Sequence, residues 1–240
     1  MSQENVVEVR DLQKQYSMSS ERLVILNNAS FTARAGELVL IMGPSGSGKT
    51  TFVSLLAGMD STYKGSIRID GLELEKLSEQ ERVRLRSTLI GLVFQDHRLL
   101  PQLTALENVE APMYLRNFSA SERRSRAADA LQLVSLSERM QHRPGQLSGG
   151  EKQRTAIARA LVCGAKVLLC DEPTGSLNRE MSMQIFRLLK ELCKRLGKTV
   201  VMTTHDPAAI EFADQLLILE DGKLVKSVDK NEVTHAATSS

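Results

Sequence analysis

Apolar residues fall along this chain in two rhythms. Runs of strand length, apolar and partly β-branched, occupy Leu38–Met42, Ile90–Phe94, 167–170 and Thr199–Thr203, and each reads as a strand. Two earlier strand patterns, 6–9 and 23–31, are separated by the polar loop Ser17-Met18-Ser19-Ser20-Glu21. Alternation returns in Gly65-Ser66-Ile67-Arg68-Ile69-Asp70-Gly71, which closes on an Asp-Gly turn. It returns again at 216–219 and Lys223–Lys226, which Asp221-Gly222 joins as a hairpin. The second rhythm is helical. Segment 51–57 can run as a helix, and Ser78-Glu79-Gln80-Glu81 is a capping box for a charged helix to Arg86. From about 104 to 160 the pattern is helical throughout. It includes a basic amphipathic helix that Ser119-Ala120-Ser121-Glu122 caps and that carries Ala127, Leu131 and Val134. Pro144-Gly145 interrupts this stretch before Leu147. Arg179–Leu196 sets Ile185, Leu188, Leu189, Leu192 and Leu196 on one face and stops at Gly197. Asp206-Pro207 predicts the N-cap and first position of another helix. The order predicts an α/β fold: a parallel-sheet core with an all-helical subdomain inserted at about 96–160.

Composition narrows this picture without changing it. The chain has 240 residues, 42% of them hydrophobic, enough for one large domain carrying a subdomain. A net charge of +2 makes no electrostatic case for nucleic acid. No apolar run approaches the ~20 residues of a membrane span. Residues 1–11 are polar and mixed, without a signal pattern. Cys163, Cys170 and Cys193 have no metal-ligand spacing and read as reduced, small apolar residues, so the expected location is the cytoplasm. The domain is expected to span 1–226, followed by a loose polar tail at 227–240.

Candidate chemistry begins at Gly43-Pro44-Ser45-Gly46-Ser47-Gly48-Lys49-Thr50, which reads G-x-x-x-x-G-K-[ST] between a strand and a helix. Glycines let the backbone curl until several N–H groups aim at one point, and the helix adds its N-terminal partial charge. Lys49 is placed to reach β- and γ-phosphates, and the Thr50 hydroxyl to bind Mg²⁺. Val167-Leu168-Leu169-Cys170 runs into two acids. Beside a P-loop, Asp171 fits the group that holds the Mg²⁺ water shell, and Glu172 can accept a proton from attacking water. Taken without the P-loop, the two acids could equally be a solvated strand end.

Leu147-Ser148-Gly149-Gly150-Glu151 discriminates further. Ser148 and Glu151 have capping-box spacing, so Ser148 could be a cap and nothing else. Two glycines in a first helical turn are poor helix formers, however, and suit a ligand that approaches the backbone closely. A helix N-terminus with a hydroxyl and bare amides is an anion site. One chain thus offers two anion sites for a nucleotide with one γ-phosphate.

These motifs, with Gln95 and His205, stand in the order and context of an ABC ATPase, which the chain resembles from about 6 to 226. The resemblance implies a RecA-like P-loop core with an N-terminal antiparallel β subdomain and an inserted helical subdomain. It implies ATP and Mg²⁺ as ligands, and a head-to-tail homodimer with ATP between the P-loop of one copy and Ser148, Gly149 and Gly150 of the other. The nucleotide-binding set it implies is Tyr16, stacked on adenine, with Gly43, Ser45, Gly46, Ser47, Gly48, Lys49, Thr50, Thr51, Gln95 and Asp171. Thr50, Gln95 and Asp171 would face the metal. Glu172, His205, Gln95 and Lys49 would be catalytic, His205 through γ-phosphate and Glu172. Without the resemblance, Tyr16 reads as an ordinary surface residue, Gln95 as a polar strand end and His205 as a turn histidine. His97, His142 and His235 keep that plain reading.

Asn178 stands where the family usually has aspartate. It keeps the shape and capping ability but not the charge. The family's aspartate works across the dimer seam, so Asn178 implies weaker coupling between sites with hydrolysis retained. Asn178→Asp is expected to alter ATPase rate and cooperativity in the assembled complex, and unchanged values would refute this.

The run Phe94-Gln95-Asp96-His97-Arg98-Leu99-Leu100-Pro101, with Leu103-Thr104-Ala105-Leu106-Glu107-Asn108-Val109, resembles the bacterial branch of lipoprotein-release, macrolide-export and cell-division ATPases. That branch implies a subunit peripheral to the inner face of the cell membrane. It docks, through about 99–114, on a membrane partner with a large extracytoplasmic domain. The alternative is a nucleotide-switched module that regulates a membrane partner with little transport. ATPase rate in the complex with and without transported substrate separates the two.

Overall fold

A computed structural model describes residues 4–18 and 21–226. In chain order the elements are β1 (Asn5–Met18), β2 (Glu21–Arg34), β3 (Leu38–Met42), α1 (Lys49–Leu56), β4 (Lys64–Ile69), β5 (Leu72–Glu73), α2 (Glu79–Thr88) and β6 (Ile90–Phe94). Then come α3 (Ala105–Glu110), α4 (Ala120–Leu133), α5 (Gly149–Leu161), β7 (Val167–Asp171), α6 (Arg179–Leu196), β8 (Thr199–Thr203), β9 (Gln215–Glu220) and β10 (Lys223–Lys226). Two sheets result: a four-stranded antiparallel one in the order β2-β1-β4-β5, and a six-stranded one in the order β10-β9-β3-β8-β7-β6. Within the second, β9, β3, β8, β7 and β6 are parallel, and β10 folds back on β9.

The parallel strands read as unbroken apolar runs because both of their faces are covered. Leu38, Leu40, Leu168, Cys170, Val200 and Met202 face a core shared with Ile157 of α5 and Ile185 and Phe186 of α6. Val39, Ile41, Val167, Leu169 and Val201 face a second core, shared with Phe52 and Leu55 of α1 and with Val7 and Ile67 of the antiparallel sheet. Helix α1 is therefore clamped between the sheets, with the ring of Phe52 against Phe31 at 5.7 Å. Between β6 and β7 the chain is helical, and Leu106, Val109, Ala127, Leu131 and Val134 pack into the first core.

Several elements depart from their sequence signals. β1 and β2 run through 6–9 and 23–31 to 14 residues each, and into the expected loop as far as Met18 and Glu21. Register shifts in their pairing and positive φ at Asp11 and Asn28 break the alternation that would have marked these lengths. The segment Pro207–Phe212 is a 3₁₀ helix, not an α-helix, although Asp206 caps it as expected by accepting from the Ala208 amide. Leu196, placed on the buried face of α6, is exposed, while Phe186 and Cys193 are buried there. Burial pushes the Cys193 thiol up to about 12 and raises the Cys170 thiol further, so neither is a thiolate near neutral pH. The expected tail and His235 lie outside the described residues.

Candidate active site

Parallel strands bring their C-terminal ends to one edge, where open α/β sheets bind ligands. Register makes this concrete: Phe94 lies beside Asp171, Asp171 beside Thr203, and Thr203 beside Ile41. The next residues along are Gln95, Glu172 and Thr204, one short of His205, and the P-loop follows β3. Ser45, Gly46, Gly48, Lys49, Thr50, Thr51, Gln95, Glu172 and His205 line one cavity of about 710 Å³, joined by Ile25 of β2. That volume is within the ~300–1,000 Å³ of small-molecule sites.

At two of its glycines the loop's curl has no room for a side chain. A Cβ on Gly48, at φ 98°, would stand 2.7 Å from Ile25 Cγ2, and one on Gly43 would stand 2.4 Å from the Leu219 carbonyl oxygen. Helices α2, α3, α4 and α5 each begin with a Ser or Thr cap reciprocated by Glu. Helix α1 has no side-chain cap and no acid in its first turn, so its amides are left for an anion. The buried Ser47 hydroxyl makes no hydrogen bond in the structure. Bare amides and a buried ammonium together fit a polyphosphate.

Lys49 is only 7% exposed, and its Nζ donates to the carbonyls of Gly43 at 2.8 Å and Pro44 at 3.0 Å. Glu172 Oε1 lies 3.3 Å from the same nitrogen, and Glu172 Oε2 accepts from His205 Nδ1 at 2.9 Å. A carboxylate only accepts, so this contact puts the His205 ring proton on Nδ1. Thr203 is one of three residues that sequence reasoning missed. Its buried hydroxyl donates to Asp171 Oδ1 at 2.9 Å and accepts from the Glu172 amide at 3.2 Å, fixing both acids. Ile25 was missed too, because its strand pattern showed nothing of what it faces. Ser176, another, donates to the Gln95 carbonyl at 3.3 Å.

Seven expected residues do not line this cavity. Gly43 acts through its carbonyl, the Ser47 hydroxyl is buried, and Asp171 is buried against the Thr203 hydroxyl. Tyr16 stands on β1 with its hydroxyl 3.4 Å from Asp60 Oδ2. Ser148, Gly149 and Gly150 are also absent from it; they open α5, where Gly149 and Gly150 adjoin Leu177 and Met181. Ser148 is a true cap: its hydroxyl accepts from the Glu151 amide at 3.3 Å, and Glu151 accepts from the Ser148 amide at 2.8 Å. The Ser148 hydroxyl also hydrogen-bonds the Glu151 carboxylate, so an arriving anion would have to draw its proton away from Glu151. Glu151 would repel an anion, but Arg139 pairs with it at 2.9 Å. The Ser148 amide and Arg139 hold its carboxyl down at about 2, so the reciprocal cap is intact above the ordinary carboxylate range and is lost as pH falls toward 2. Asn178 caps α6 by accepting from the Met181 amide at 2.9 Å.

For Mg²⁺, the Thr50 hydroxyl, the Gln95 amide and the free oxygen of Asp171 are hard donors, few in number. They suit an ion that completes its shell with phosphate oxygens and water. No cluster of His, Cys, Asp and Glu able to hold a metal by itself occurs among the described residues.

A P-loop at the end of a parallel strand, with paired acids ending a strand of the same sheet, defines a P-loop nucleoside triphosphatase. The ABC transporter family profile matches residues 26–175, and the chain belongs to that family. It is an ABC-type ATP hydrolase. It is 42% identical to the uncharacterized ABC transporter ATP-binding protein YvrO of Bacillus subtilis, over 95% of this chain and 99% of YvrO. It is 40% identical to the lipoprotein-releasing system ATP-binding protein LolD of Legionella pneumophila, over 89% of this chain and 94% of LolD. The solved dimer of the Methanocaldococcus jannaschii cassette MJ0796, in a post-hydrolysis state bound to ADP and Pi, matches with a TM-score of 0.84 at 39% identity. That match covers 92% of this chain and 97% of the other.

Proposed function

We propose that two copies of this chain close head to tail on ATP at the cytoplasmic face of a cell membrane. Their closure drives a separate integral membrane partner, one with a large extracytoplasmic domain, in export or extraction of a lipoprotein, lipid, peptide or drug. One observation carries this reading: Ser148, Gly149 and Gly150, which we read as an anion site, open α5 and do not line the P-loop cavity. A site divided in this way is completed by a second copy, and MJ0796 was solved as a dimer.

In the closed pair the triphosphate takes its negative charge to Lys49 and the amides of α1, and to the partner copy's helix start. Bound Mg²⁺ supplies further neutralisation of the phosphate oxygens. Glu172 orients a water in line with the γ-phosphate and takes its proton, while His205 holds the other carboxylate oxygen. Gln95 contacts the attacking water. Catalysis is positioning and electrostatics, with no covalent intermediate.

Among the described residues no helix is long and apolar enough to cross a membrane, in keeping with a peripheral subunit. In the docking segment Leu106, Val109 and Met113 are core, but Leu100 and Tyr114 are exposed, as is the neighbouring Leu115. The lipoprotein-releasing function of LolD, a relative of similar length, supports extraction as the task. The test is mass in solution. With a non-hydrolysable ATP analogue the wild-type mass by light scattering is expected to double. Ser148→Arg is expected to bind the analogue with unchanged affinity and stay monomeric. A Ser148→Arg chain that still dimerises on the analogue would overturn the composite site.

A further inference from the structure

Among the described lysines and arginines only Lys14 and Lys49 are buried. Lys49 belongs to the P-loop; Lys14, 3% exposed, lies on β1 two residues before Tyr16. A buried ammonium persists only where it is paired and hydrogen-bonded. Lys14 Nζ lies 2.7 Å from Asp60 Oδ2, donates to the Thr62 carbonyl at 2.7 Å, and sits 4.6 Å from the centroid of the Tyr16 ring. Asp60 also accepts from the Thr62 amide at 2.9 Å and from the Tyr16 hydroxyl at 3.4 Å. Burial works to raise the Asp60 carboxyl, yet Lys14, the Thr62 amide and the Tyr16 hydroxyl together hold it below its ordinary value.

Position gives this cluster a use. Asp60 follows the C-terminal end of α1, the helix whose other end opens at the P-loop. Tyr16 pairs with Leu23 on β2, and Ile25, two residues farther along, lines the nucleotide cavity. The Lys14–Asp60 pair thus binds the aromatic and the phosphate-gripping helix into one body. The ammonium covers one ring face, and Tyr16 remains 41% exposed.

We infer that Lys14 and Asp60 are base-positioning residues: their ion pair holds the Tyr16 ring by one face and by its hydroxyl, presenting the other face as a preformed platform for the nucleotide's purine. This rests on the reading of Tyr16 as the adenine-stacking residue. A cation under the ring and an anchored hydroxyl remove the rotamer freedom that stacking would otherwise have to freeze.

The test separates base from phosphates in the full chain, by calorimetry with a non-hydrolysable ATP analogue and with inorganic tripolyphosphate. Lys14→Met keeps much of the length and loses the charge. It is expected to weaken analogue binding by about threefold to tenfold, with tripolyphosphate binding unchanged, KM for ATP raised and kcat retained. Lys14→Arg is expected to restore most of the affinity. Equal losses for both ligands, or none for either, would overturn the proposal. If Lys14→Met does not fold, Asp60→Asn carries the same comparison. Tyr16→Ala tells the two readings apart. An unchanged ratio of analogue to tripolyphosphate affinity in Tyr16→Ala removes the stacking reading itself. A ratio shifted by Tyr16→Ala but not by Lys14→Met removes only the role of the ion pair.

Discussion

Glu172→Gln is expected to lower ATP turnover by about 10²–10⁴-fold and to accumulate an ATP-bound dimer. The substitution is nearly isosteric, so what it removes is the ability to take a proton. The position is held from several sides: the side chain meets Lys49 at 3.3 Å and His205 at 2.9 Å, and the amide meets the Thr203 hydroxyl and carbonyl. Its φ of 48° is left-handed. For a residue other than glycine that costs on the order of 1–3 kcal/mol and persists only where the surroundings over-determine it. Glutamine inherits the same backbone, so the fold and the cavity remain. Removing the carboxylate also ends its competition for the Lys49 ammonium, and ATP affinity is expected to hold or tighten. Turnover assays with light scattering check both parts. A variant that stayed monomeric and fully active would remove Glu172 from the chemistry.

Lys49→Ala has the second largest expected effect, and it falls on binding. The ammonium is buried beside two carbonyls and one carboxylate. A hydrogen bond to a charged group is worth about 1.5–3 kcal/mol, so ATP affinity is expected to fall roughly 10- to 150-fold. Deletion of the lysine also leaves Glu172 without its nearby cation, so turnover at saturating ATP should fall as well. Calorimetry on the variant, with its melting temperature as a check of folding, measures this. An unchanged dissociation constant for ATP would show that the amides of α1 carry the phosphates alone.

Local signals were the ones legible in the sequence. Leu38–Met42, Ile90–Phe94, Arg179–Leu196 and Thr199–Thr203 have the bounds their periodicity and caps predict. Each of these signals is complete within a few turns or a few residues of chain. β1 and β2 were harder, because bulges and left-handed residues interrupt the two-residue period on which strand reading depends. Thr203 carried no signal of its own: as the last residue of a strand it becomes part of the site only when β8 lies next to β7.

The sequence by itself determined the P-loop, since eight contiguous residues from Gly43 to Thr50 contain the glycines, the lysine and the hydroxyl that the motif needs. It also determined the helix cap at Ser148, a contact between residues three apart. Tertiary structure alone decided that Gln95, Glu172 and His205 meet Lys49 in one cavity while Ser148 does not. Such meetings depend on strand order and register, which arise from burying both faces of the parallel sheet at once. No short stretch of chain specifies that arrangement.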